Sequence, residues 1–122
     1  MNNDTIQEKE IYRDIKERAF KEVDYYSKEY GGKKITQDDI DLIVYNQVES
    51  IVYYSEMVRI ASTVDDGRFT YYLTEFESEC GSKNLYTMSR EVINYALSDD
   101  IYEYCAEKDI EIVDTLEEVK NE

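Results

Sequence analysis

Apolar residues in this chain recur every three or four positions over most of its length, the period of one helix face. Ile11, Ile15, Ala19, Val23 and Tyr26 form the first such stripe. Thr5 followed by Glu8 has capping-box spacing, so the helix is expected to start near Asp4 or Thr5. Arg13, Lys16, Glu17, Lys21 and Glu22 lie off the stripe and alternate in sign; Glu17 to Lys21 is a favourable i,i+4 pair. Gly31-Gly32 should end the helix, because glycine accepts the left-handed backbone of a C-cap.

The strongest pattern follows. Thr36 is suited to N-cap a helix with Asp39 in its first turn. Ile40, Ile43, Val44, Val48, Ile51, Val52, Val58 and Ala61 then make an apolar stripe. The spacing predicts one unbroken helix of about seven turns. Asp38, Asp41, Glu49 and Glu56 are expected to face water, and Asp65-Asp66-Gly67 to form a turn.

Residues 68–80 fit two patterns. Phe69, Tyr72, Leu73 and Phe76 have helical spacing, while the Phe, Thr and Tyr content also suits a strand. Helix is the preferred reading, with a loop at Gly81-Ser82-Lys83-Asn84. A further helix is expected from Thr87 or Ser89, carried by Ile93, Leu97, Ile101 and Cys105; Ser98 offers a second N-cap that would split it. Ile110-Glu111-Ile112 alternates like a strand, whereas Val113, Leu116 and Val119 return to helical spacing. The end from about residue 117 is expected to fray. The expected fold is all-α, a single-domain bundle of four to five helices over residues 1–122. The alternative is α+β with a short hairpin around 68–80 or 110–113.

Charge changes the picture. The chain has 29 acidic residues and 14 basic ones, a net of -15 over 122 residues. Residues 1–61 hold 13 acids and 9 bases (net -4), and residues 62–122 hold 16 acids and 5 bases (net -11). Such a field repels nucleic acid and anionic membrane and attracts basic protein surfaces. Hydrophobic residues are 42% of the chain, which excludes a disordered acidic tail. Thirteen tyrosines supply most of the aromatic content, and tyrosine suits core edges and interfaces.

Catalytic signatures are missing. There is no His, so neither a Ser-His-Asp nor a Cys-His arrangement can form. Gly31-Gly32-Lys33-Lys34 lacks the spacing of a phosphate loop, and its lysines read as solvated loop charge. Helical nucleotide pyrophosphatases bind Mg²⁺ through Glu-x-x-Glu and Glu-x-x-Asp pairs. Here Glu111-x-x-Asp114 and Asp38-x-x-Asp41 occur without a Glu-x-x-Glu partner, which removes half of that cage. No enzyme activity, metal or cofactor is expected. Cys80 and Cys105 have no metal or CxxC spacing and read as reduced thiols. Met1-Asn2-Asn3-Asp4 has neither a basic leader nor an apolar run, and no stretch reaches the ~20 apolar residues of a membrane span. A cytoplasmic protein, in the host cell cytosol, is the expectation.

The segment Val48-Glu49-Ser50-Ile51-Val52-Tyr53-Tyr54-Ser55-Glu56, followed by Ile93-Asn94-Tyr95-Ala96 and Ile101-Tyr102-Glu103-Tyr104, resembles a pattern in small acidic phage and prophage proteins. There an acidic helix with an aromatic pair precedes a second amphipathic helix; the likeness covers residues 36–107. It implies a host-defence inhibitor of the anti-restriction or anti-CRISPR type, some of which imitate the charge of DNA. The expected partner is then a basic protein, a nuclease or other nucleic-acid-binding defence protein, with no direct binding of nucleic acid or membrane. The candidate binding residues are Asp65, Asp66, Glu75, Glu77, Glu79, Asp99, Asp100 and Glu103. Tyr53, Tyr54, Tyr71 and Tyr72 are candidate contacts too, and under the alternative reading mark the surface of an oligomerising module such as a homodimer.

Overall fold

Five helices and two short strands follow one another along the chain: α1 (Asn3–Lys28), β1 (Lys34–Thr36), α2 (Gln37–Glu49), α3 (Tyr54–Val64), α4 (Asp66–Cys80), α5 (Leu85–Glu107) and β2 (Glu111–Val113). The structure, a computed structural model, describes residues 3–80 and 85–114, with side chains over 10–74 and 85–114. The capping pair Thr5 and Glu8 and the expected fraying beyond residue 117 lie outside those side chains and residues. The helices enclose one core. Ile15, Ala19 and Val23 enter it from α1, Ile40, Ile43 and Val48 from α2, Met57 and Ile60 from α3, and Val92, Ile93, Leu97 and Ile101 from α5, each with at most 1% of its surface exposed. α5 packs against α1, α2, α3 and α4 and is the element around which the others are arranged. It is one continuous helix through Ser98, not two.

The long second helix predicted from the sequence is instead two helices. α2 ends at Glu49 and α3 begins at Tyr54. The Ser50 hydroxyl and the Ser50 N–H both donate to the Gln47 carbonyl, at 2.5 and 3.2 Å, and the Ile51 N–H donates to Val48 at 3.0 Å. These i→i−3 bonds tighten the last turn and draw the chain off the helical ladder. Two β-branched residues follow, and Tyr53 is extended at φ -93°, ψ 134°. The break re-phases the apolar face. Ile51 stays buried, Val52 becomes 78% exposed, and Met57 and Ile60 take the inner positions that a continuous stripe gives to Val52 and Val58.

Residues 68–80 are helical, which removes a hairpin there. Residues 111–113 are a strand, but not a hairpin strand: β2 pairs in parallel with β1, Lys34 opposite Glu111, Ile35 opposite Ile112 and Thr36 opposite Val113. Lys34 is therefore a buried strand residue rather than solvated loop charge. Glu111 and Asp114 stand on and after a strand, so they are not the helical acid pair of a pyrophosphatase.

Both strands are entered through the same reversal. At the end of α1, Gly32 N–H donates to Ser27 (2.8 Å) and Gly31 N–H to Lys28 (3.2 Å), with both glycines at φ +76°. At the end of α5, Ile110 N–H donates to Cys105 (2.8 Å) and Asp109 N–H to Ala106 (3.3 Å), with Asp109 at φ 57°. Each is a Schellman pair of bonds around a left-handed residue. No atom stands within 4 Å of a Cβ added to Gly31, so its glycine is required by conformation alone. Gly31→Ala is expected to cost about 1 kcal/mol. Asp109→Gly is expected to add about 0.5 kcal/mol, because it relieves the same conformation. Urea titration of both variants checks the opposite signs.

Candidate partner-binding surface

Of the carboxylates expected to face a partner, Asp65, Asp66, Asp99, Asp100 and Glu103 have described side chains and lie at the surface, and no described Asp or Glu is buried. The structure separates them into distinct places. Asp65 joins α3 to α4. Its Oδ1 accepts the Arg68 N–H at 3.1 Å and so caps α4, and its Oδ2 lies 3.4 Å from Arg68 Nη1. Arg68 Nη1 also lies 3.7 Å from Asp99 on α5, and the Arg68 guanidinium sits 4.9 Å above the Tyr95 ring. Tyr71 and Tyr72 adjoin this group. Their rings are 5.9 Å apart, and Tyr72 is 6.5 Å from Tyr95. Asp65, Arg68, Tyr71 and Tyr72 line a shallow cleft, with Asp66 exposed beside it in the first turn of α4. Five predicted residues, Asp65, Asp66, Asp99, Tyr71 and Tyr72, thus meet at one corner. The sequence reading missed Arg68 and Tyr95, which tie that corner together.

Asp100 faces the other way, toward α1. Asp100 accepts a hydrogen bond from the Tyr12 hydroxyl, so it holds α5 to α1. Burial, then that bond, pushes the Tyr12 hydroxyl well above its ordinary pKa. Glu103 lines a small cleft with Lys16, Phe20, Asp100, Tyr104 and Glu107. Its floor is the stacked pair Phe20 and Tyr104, with centroids 4.2 Å apart. Asp99, Glu103 and Glu107 are exposed and spaced by four, a row of carboxylates ~6 Å apart along α5. Glu75, Glu77 and Glu79 fall on α4, but their side chains lie outside those described.

Tyr53 and Tyr54 belong to a third place, beside the break. Tyr53 lines a cleft with Glu10, Asp14, Glu56 and Arg59. Tyr54 stacks on Tyr86 at 5.9 Å. Tyr86 accepts from Arg90 at 3.3 Å, Arg90 pairs with Glu49, and the guanidinium sits 5.6 Å over Tyr45. None of these long-range neighbours has a local signature in the sequence.

Among the described residues, no three acidic or cysteine side chains gather as a metal site, and no helix is long and apolar enough to cross a membrane. Cys105 is a free, buried thiol; the side chain of Cys80 lies outside those described. Burial, with a smaller push from Asp24, raises Cys105 from 9.0 to about 11. Burial and the bond to Asp24 raise Tyr104 from 10.0 to about 12. Both shifts favour the protonated form in the folded state. Their stabilising effect is complete below pH ~9 and is lost as pH rises toward ~12. The urea midpoint should hold steady from pH ~7 to ~8.5 and then fall; a flat profile to pH ~11 would refute the shifts.

No protein-family model, curated protein or solved structure matches this chain.

Proposed function

We propose that this protein is a non-enzymatic binding protein that occupies the nucleic-acid groove of a basic partner, a host-defence nuclease or other nucleic-acid-handling protein. One observation carries the reading. In the acidic C-terminal half, every described base is engaged within the molecule: Arg68 between Asp65 and Asp99, Arg90 on Glu49, and Lys108 over the Tyr104 ring at 5.7 Å. Each base is thus set against an acid or a ring of its own chain, and Asp99, Glu103 and Glu107 of α5 are exposed to water. A row of acids at ~6 Å steps offers an arginine-rich groove a phosphate-like ladder. The aromatic corner of Tyr71, Tyr72 and Tyr95 adds ring faces on which guanidinium groups stack.

The test has two stages. Tagged protein is used to capture partners from nuclease-treated lysate at low and high salt, and the captured protein is identified by mass. The purified pair is then titrated against a labelled DNA or RNA duplex. Displacement of the duplex, and capture that is lost at high salt, are the expected results. A partner that keeps its nucleic acid while bound would sink the proposal.

A further inference from the structure

We propose that the break between α2 and α3 is a hinge that opens into one continuous helix, through which two copies of this chain exchange halves. Three observations converge on it. First, the break lacks the signals that fix the other described junctions. α1 ends at Gly31-Gly32, α2 starts at the Thr36 cap, α4 starts at the Asp65 cap, and α5 ends before left-handed Asp109. Residues 50–53 hold neither glycine nor proline, and the side chain of Tyr53, at the N-cap of α3, makes no capping bond. Second, Ser50 keeps helical backbone at φ -70°, ψ -13°, so only Ile51, Val52 and Tyr53 leave the helix. Straightening them pairs the last carbonyls of α2 with the first N–H groups of α3, groups that a helix end leaves without helical partners. Third, α2 and α3 each pack on α1 and on α5 and scarcely touch each other, so little between them resists opening.

The packing decides the occupant. A lone chain cannot open the hinge and keep its core. α3 would be drawn from α1 and α2 from α5, opening a core in which Ile43, Met57 and Ile60 are fully buried. A second open copy supplies the same surfaces, residue for residue. The contacts that cross from the first half to the second re-form between copies: β1 on β2, Tyr12 with Asp100, and Glu49 with Arg90. Exchange therefore needs no new complementary face and leaves no apolar face for a foreign protein. In the product each chain holds a helix from Gln37 to Val64, roughly 40 Å long. Each of the two cores takes α1, β1 and α2 from one copy and α3, α4, α5 and β2 from the other. The exchanged form thus presents two acidic rows of α5 where the single chain presents one.

The test turns on Tyr54, the first residue of α3. Tyr53 before it is extended at φ -93°, ψ 134°, the backbone that a following proline requires, and proline suits the first position of a helix. Tyr54→Pro is therefore compatible with the closed chain and breaks the open helix. The whole chain, unfolded in urea and refolded at ~1 mM in ~500 mM NaCl to screen repulsion between copies, is expected to yield a separable dimer. That dimer should survive dilution to ~10 µM and return to monomer only at the rate of unfolding, because exchanged halves part only by unfolding. Tyr54→Pro is expected to lower the dimer recovered about 100-fold, with the circular dichroism of the monomer unchanged. Tyr54→Ala removes the same ring from Tyr86 but allows a helix, and should keep the dimer. Ser50→Ala with Val52→Ala removes the hydroxyl bond to Gln47 and a β-branched residue, and should raise the dimer about tenfold. Absence of dimer from both the native chain and that double variant overturns the proposal. So does a dimer that Tyr54→Pro leaves intact, or one that falls apart at once on dilution, which marks a contact between closed chains.

Discussion

Ile51→Asp is expected to leave the chain largely unfolded at room temperature, while Val52→Asp, one residue further on, changes stability by no more than ~0.5 kcal/mol. Ile51 is 5% exposed and Val52 78%. Burying an isoleucine contributes about 2–3 kcal/mol, and an unpartnered carboxylate in its place adds several more. Domains of this size are stable by only about 5–15 kcal/mol, so the loss at Ile51 takes most of the margin. The pair tests the architecture as well as the residue. In the continuous helix that the apolar stripe suggests, both positions lie on the inner face and both variants should fail. In the broken arrangement only Ile51 does. Urea unfolding followed by circular dichroism reads the difference. If both variants are equally destabilised, the helix is continuous; if both are silent, Ile51 is not in the core.

That contrast shows what was legible in the sequence. Helical period is a local signal, and it identified the buried faces of α1, α2 and α5 residue by residue: Ile15, Ala19 and Val23; Ile40, Ile43 and Val48; Ile93, Leu97 and Ile101. The Gly31-Gly32 stop and the Thr36 cap, whose hydroxyl accepts the Asp39 N–H at 3.1 Å, were readable for the same reason. The break at 50–53 was not, because Ile51 and Val52 are apolar and continue the stripe while a serine turns the backbone. The parallel pairing of β1 with β2 joins three residues to three others more than seventy positions away, and no local period encodes it. The functional surface divides in the same manner. Exposed acids could be counted from composition. Which of them are engaged could not, since Tyr12 with Asp100 and Arg68 with Asp99 are contacts between elements far apart in the chain.

Those engagements select the variants that test partner binding. Asp65 caps α4 and Asp100 holds Tyr12, so reversing either charge would disturb the fold along with the surface. Asp99 is exposed but pairs with Arg68, whereas Asp66, Glu103 and Glu107 are exposed and stand outside these contacts. Their triple reversal to lysine is expected to weaken a charge-driven partner by about two orders of magnitude, with little change in thermal stability. Reversal of Asp14 and Glu17, exposed on α1 among Arg13, Lys16 and Arg18, should have little effect because that surface is already balanced. Most of the loss should appear in the association rate, since exposed charges steer encounter more than they hold the complex. Raising salt from ~50 to ~300 mM should slow association of the native protein steeply and of the triple variant hardly at all. Stopped-flow or surface-binding kinetics on the captured partner would show this directly. If all three proteins bind with the same rate and the same salt slope, the carboxylates of α4 and α5 serve only to keep copies apart, and the contact lies on the aromatic faces.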